Sequence, residues 1–140
     1  MMDIQAALGL HQLPELDGFI EKRTALVKRY YETLKDWVEL TLPKPPAYAH
    51  AHAWHLFTPR LKDRDGFINA MKEENIGVGL HYQAAHTFSW YKERYGWKAG
   101  DFPHALAAGN TICSLPLFPT MTEAEQERVI KSLEKLLRSR

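Results

Sequence analysis

One cysteine among 140 residues leaves no partner for an intrachain disulfide, so covalent cross-links are excluded as a source of stability. Cys113 lies in the apolar run Thr111-Ile112-Cys113-Ser114-Leu115, which predicts a buried, unreactive thiol and suits a reducing cytoplasm. Excess charge of one sign is also missing. Eighteen basic and 17 acidic side chains give a formal charge of +1, which removes the electrostatic case for a nucleic-acid or anionic-membrane partner. No apolar stretch approaches the roughly 18 to 20 residues that span a bilayer, and no basic region followed by an apolar one opens the chain. These absences predict a soluble, cytoplasmic protein. Gly77 and Gly79 make only a lone Gly-x-Gly, with no phosphate-cradling Gly-x-Gly-x-x-Gly or P-loop. Ser89, Ser114, Ser132 and Ser139 stand in no Gly-x-Ser-x-Gly turn, so a hydrolytic triad fails at the nucleophile.

What is present fits one globular domain over residues 1–140, with 45% apolar and 25% charged residues. Asp3 is expected to cap a short apolar helix over Ile4–Leu13, in which Ile4, Ala7, Leu8 and His11 fall at helical spacing and which Pro14 interrupts. A long amphipathic helix follows over Glu15–Trp37, its stripe made of Leu16, Phe19, Ile20, Arg23, Leu26, Val27, Tyr30 and Leu34. Leu42-Pro43-Lys44-Pro45-Pro46 is a stiff connector, because proline fixes φ and removes donors. Strands are expected over His50–Leu61, Ile76–Tyr82 and Ile112–Leu117. Between them lie a helix opened near Asp65 and stopped at Asn75, an aromatic, partly helical stretch over Gln83–Trp97, and a short helix over Phe102–Asn110. Thr122-Glu123-Ala124-Glu125 matches a capping box at the head of the last helix. Lys135, Arg138 and Arg140 suit that helix's negative end. The expected class is α/β of the α+β type, a small sheet of about three strands covered by helices.

Seven histidines raise the question of a metal site. His50 and His52 share one face of an expected strand while His55 points away, and no cysteine or nearby carboxylate completes a tetrahedral set, so no metal is expected. His81 and Tyr82 follow directly on the glycine-bearing strand, where an opening loop presents imidazole and phenol to a pocket; His86 lies five residues on. Two glycines in so short a strand point to close approach of a backbone or ligand. The alternative reading of these side chains is that they only cap polar groups of the sheet.

Several spaced segments carry a resemblance. They are Met2-Asp3-Ile4-Gln5-Ala6-Ala7-Leu8-Gly9 with Gln12-Leu13, then Arg23 and Tyr30, then His52-Ala53-Trp54-His55-Leu56-Phe57. Gly77-Val78-Gly79-Leu80-His81-Tyr82 with His86, and Ser114-Leu115-Pro116-Leu117-Phe118-Pro119 with Met121-Thr122, complete the set. Over essentially its whole length the chain resembles the C-terminal small domain of the DegT-type sugar aminotransferases, which share the aspartate-aminotransferase fold. Around Trp54 and His81 it is most similar to the UDP-4-amino-4-deoxy-L-arabinose–oxoglutarate aminotransferase subgroup.

The resemblance implies a pyridoxal-phosphate-dependent enzyme that moves an amino group from glutamate to a nucleotide-linked 4-keto sugar, in cell-surface or antibiotic sugar biosynthesis. It places the Schiff-base lysine and the cofactor-binding groups in a large domain upstream of residue 1, so no catalytic or cofactor-binding residue is expected here. The 140 residues alone are then expected to be inactive. The ten lysines lie on solvated helix faces or in loops, where none has the desolvated setting of an imine-forming amine. The resemblance leaves the substrate-facing wall to this chain: His81 and Tyr82, with His86 and Trp54 behind them. The apolar segment 1–13 is expected to pack on the large domain or a dimer partner, making a homo-oligomer. A non-catalytic nucleotide-sugar-binding or interaction module is the alternative function.

Overall fold

A computed structural model describes residues 1–138 of the chain; Ser139, and Arg140 with its expected place at the last helix end, lie outside the described residues. The apolar first segment is helix α1, Asp3–Gln12. Its cap is Met2 rather than Asp3, because the Gln5 side chain reaches back to accept the Met2 N–H at 3.0 Å. Pro14 does not break the path. It sits at the start of a single 3-10 turn, Leu13–Glu15, where a missing N–H costs nothing, and the chain runs straight on into α2, Leu16–Leu34.

The α2 stripe divides in two. Val27, Tyr30 and Leu34 are buried, whereas Leu16 at the other end is open to solvent. Tyr30 stacks on Phe57 with ring centroids 5.1 Å apart, and its hydroxyl donates to the Pro116 carbonyl at 3.0 Å. Helix α3, Arg64–Glu73, begins one residue before the expected opening at Asp65, with the Asp63 side chain as its cap, and buries Phe67 and Met71. Asn75, at φ 56°, takes the left-handed conformation expected of a helix stop. In the aromatic stretch, α4 (Ser89–Tyr95) ends on Gly96 at φ 68°. Helix α5, Pro103–Thr111, lies one residue beyond the expected Phe102–Asn110 at each end and starts on proline, where the missing N–H costs nothing.

Helix α6, Glu123–Arg138, starts with the reciprocal bonds of the capping box. The Glu125 N–H donates to Thr122 Oγ1 at 3.2 Å, and the Thr122 N–H donates to Glu125 Oε2 at 2.7 Å. The Thr122 N–H, and with it the Thr122 hydroxyl at 2.8 Å, donate to Glu125 Oε2 and hold the exposed carboxyl below its ordinary pKa. The buried face of α6 carries Val129, Ile130 and Leu133. Gln126 donates to the Leu26 carbonyl at 2.7 Å and Glu127 pairs with Arg29 at 2.6 Å, which fastens α6 to α2. Lys135 and Arg128 reach Glu74 at the end of α3. The core lies between these three helices and the extended segments.

The three expected strands are the main correction. Among the described residues they survive only as isolated antiparallel bridges: Thr41 to Arg60, Arg60 to Ile112, Phe57 to Leu115 and Gly79 to Ser114. The order across this layer is 41, 57–61, 111–115, 79. Pro59 accepts from the Cys113 N–H at 3.1 Å but has no N–H to return, so the ladder stops at the centre of its segment. Upstream, Trp54 at φ 47° leaves extended geometry altogether, so the pleat expected for residues 50–56 does not form. Phe57, at the start of the bridged part of the segment, is fully enclosed.

Candidate functional site

The Gly79–Ser114 bridge positions the expected site. Its two backbone bonds, at 3.1 and 2.7 Å, bring Ser114 beside the chain that leads into His81. The His81 ring folds back over Gly79 and its Nδ1 is hydrogen-bonded to Ser114 Oγ at 2.9 Å. A Cβ on Gly79 would stand 2.5 Å from His81 Cε1, so this ring position depends on the glycine. Gly77 has open space around it, so of the two glycines only Gly79 serves a close approach. Tyr82 follows across a cis peptide, edge-on to the imidazole with centroids 5.0 Å apart, and is 71% exposed. The result is a half-buried imidazole fixed from behind and a phenol free to meet a ligand, both able to hydrogen-bond hydroxyls or phosphate oxygens.

His86 and Trp54 are held by other neighbours. The His86 ring is 4% exposed; its Nε2–H donates to the Ala99 carbonyl at 3.0 Å and its face lies 5.0 Å from Phe102. That bond ties the 3-10 turn Ala85–Thr87 to the loop before α5. Trp54 is half-buried, edge-on to Tyr31, with His52 tilted over it at 4.1 Å. His52 Nδ1 accepts the Trp54 N–H at 2.8 Å, which helps hold a left-handed backbone that costs a non-glycine residue about 1–3 kcal/mol. His50 Nδ1–H donates to the Tyr48 carbonyl at 2.9 Å.

Two contributors escaped the sequence reading. In the sequence Ser114 stands in no nucleophile turn; its value here is its place opposite Gly79, a pairing that no local pattern encodes. Arg64 is buried, donating to the Gly109 carbonyl at 2.9 Å and to that of Ile112 at 3.3 Å, which braces the segment leading to Ser114. Its guanidinium also opposes, in part, the effect of burial on Cys113, whose thiol is pushed up to about 12. Burial likewise raises the phenols of Tyr30 and Tyr31, and the Tyr31 hydroxyl donates to the Pro43 carbonyl.

An imine to pyridoxal phosphate needs a desolvated amine. All ten lysines of this chain are exposed, so its residues do not fit that half of the cofactor's chemistry.

The model of the DegT/DnrJ/EryC1/StrS aminotransferase family matches residues 1–134. A DegT/DnrJ/EryC1/StrS aminotransferase from Brucella abortus is 29% identical, with a TM-score of 0.84 over 97% of this chain and 36% of its own. DesV from S. venezuelae, solved in complex with a ketimine intermediate, is 26% identical with a TM-score of 0.90 over 97% of this chain and 36% of its own. A Streptococcus pneumoniae protein described as a sugar aminotransferase, in its PLP form, shares the fold at 23% identity, with a TM-score of 0.89 and the same coverage of 97% and 36%. The chain thus spans about a third of the length of the structures it matches. Its helices and bridged layer correspond to part of an α/β aminotransferase fold. The match over residues 1–134 and these likenesses lead to one conclusion: the chain belongs to the DegT/DnrJ/EryC1/StrS aminotransferase family.

Proposed function

We propose that this chain is the small domain of a pyridoxal-phosphate-dependent aminotransferase acting on a nucleotide-linked 4-keto sugar with glutamate as amino donor, and that it supplies the substrate-facing wall. The observation that carries this reading is the imidazole of His81, locked between Gly79 and Ser114 beside the open phenol of Tyr82. His81 and Tyr82 hydrogen-bond sugar hydroxyls or the pyrophosphate, while Trp54 offers an apolar edge. His86 acts behind them as a positioning residue, holding the loop through Ala99. The finer assignment is to the UDP-4-amino-4-deoxy-L-arabinose–oxoglutarate aminotransferase subgroup, supported by the residues around Trp54 and His81. The exposed apolar face of α1 packs on the large domain of the same enzyme or on a second subunit.

Chemistry on the cofactor falls to groups outside these 140 residues, since every lysine here is solvated. Calorimetric titration of the chain with a UDP-sugar tests the wall. Saturable binding, weakened by His81→Ala and Tyr82→Phe, is expected; binding that ignores both substitutions rules the wall out. A parallel assay with pyridoxal phosphate, glutamate and a nucleotide keto sugar is expected to show no turnover, and turnover by this chain overturns the division of labour.

A further inference from the structure

A cleft of about 450 Å³ opens between α3, the C-terminal end of α6 and the Val38–Glu39 turn. Its volume falls within the range of about 300–1,000 Å³ usual for small-molecule sites. None of His81, Tyr82, His86 or Trp54 lines it. Its floor is apolar, made by Leu61 and Phe67 from below and by Leu136 and Leu137 from α6. Glu39 stands in its wall, and Oε2 of that carboxylate is withdrawn from water with no hydrogen-bond partner. A buried oxygen left in that state costs about 1–3 kcal/mol, more when charged, so it calls for a donor.

The surroundings select the donor's charge. Asp63, also in the wall, accepts the Gly66 N–H at 3.1 Å and so already occupies the positive end of α3. A Cβ on Gly66 would collide with that carboxylate where it now stands. An anion entering the cleft meets two carboxylates and the ammonium of Lys62 as the basic group among the described lining residues. Nearby, the Arg138 guanidinium lies 5.2 Å over the Trp37 ring, where a cation–π contact engages it. We propose that this cleft binds a small ammonium compound with an apolar body, whose head pairs with Glu39 and whose body lies on Phe67 and Leu137.

The test is a pair of NMR titrations of the 140-residue chain, with phenethylammonium and with 3-phenylpropionate, an anion of similar size. The ammonium is expected to shift the amides of Glu39, Gly66 and Phe67 saturably, with the anion at least about tenfold weaker. Glu39→Gln keeps the side-chain volume and is expected to weaken the ammonium about tenfold while leaving the rest of the spectrum in place. Equal response to the two probes, no saturable shift up to about 10 mM, or unchanged ammonium binding in Glu39→Gln overturns the proposal. None of these outcomes bears on UDP-sugar binding at His81, so the two readings fail separately.

Discussion

Gly77, Gly79 and Gly109 respond differently to an added methyl group. At Gly77 nothing lies within 4 Å of the new carbon, so Gly77→Ala is expected to be neutral or stabilising by about 0.5 kcal/mol through the unfolded chain. At Gly79 the obstacle is the tip of the His81 ring, which can swing away. Gly79→Ala is therefore expected to cost only about 1 kcal/mol but to break the bond to Ser114, seen as a displaced His81 ring resonance and weaker UDP-sugar binding. At Gly109 the obstacle is the Ala84 backbone nitrogen at 2.6 Å, which cannot move alone. Gly109→Ala is expected to cost about 2–3 kcal/mol in urea unfolding. The sequence marked the 77–79 pair as special, but not which member mattered, because the answer depends on a ring turning back from two residues ahead.

Helices were legible where their signals are local. The capping box of α6 and the left-handed stop at Asn75 each depend on residues within one turn, and both form as read. Helix α1 opens one residue before the expected cap, because the Met2 carbonyl already accepts from the Gln5 and Ala6 N–H groups while the Gln5 side chain accepts the Met2 N–H. The strands were not legible, since Pro59 and the left-handed Trp54 break ladders whose hydrophobic pattern still looks continuous. Between elements, Arg64 of α3 satisfies the carbonyls that end α5. Arg64→Met keeps most of the volume but leaves the Gly109 carbonyl without its charged donor. We expect a loss of about 2 kcal/mol, with α5 amides the first to gain hydrogen exchange.

At the scale of the molecule, burial sets how stability depends on pH. Tyr30 and Cys113 are both held protonated by their surroundings, so the unfolded chain releases these protons first. The Cys113 contribution is whole below the ordinary thiol value of 9.0 and is lost as pH rises through about 12, while that of Tyr30 is whole below the ordinary phenol value of 10.0 and is lost at still higher pH. Urea midpoints are expected to fall steadily above pH 9, and Cys113→Ala is expected to flatten part of that slope. At pH 8 the native thiol, enclosed and held protonated, should react with iodoacetamide far more slowly than the unfolded one. Self-association is the second expectation at this scale. Met2, Ile4, Leu8, Leu10 and Leu13 leave large apolar surfaces open, and α1 buries none of its residues. Leu8→Glu with Leu13→Glu is expected to lower the concentration-dependent mass seen by sedimentation while the circular dichroism of the rest stays unchanged. No helix among the described residues is long and apolar enough to cross a membrane.

The sequence by itself determined the helices, their caps at α6 and Asn75, the burial of Cys113, and the likeness to the family, because each follows from short-range spacing or from residue types in order. Tertiary structure alone decided that among the described residues the sheet shrinks to four bridges, that His86 turns inward to Ala99 while Tyr82 turns outward, and that Glu39 Oε2 is left without a hydrogen-bond partner beside an apolar cleft. These depend on groups tens of residues apart meeting within a few ångströms. A serine opposite a glycine, or an arginine under a distant helix end, becomes informative only once the chain has closed around it.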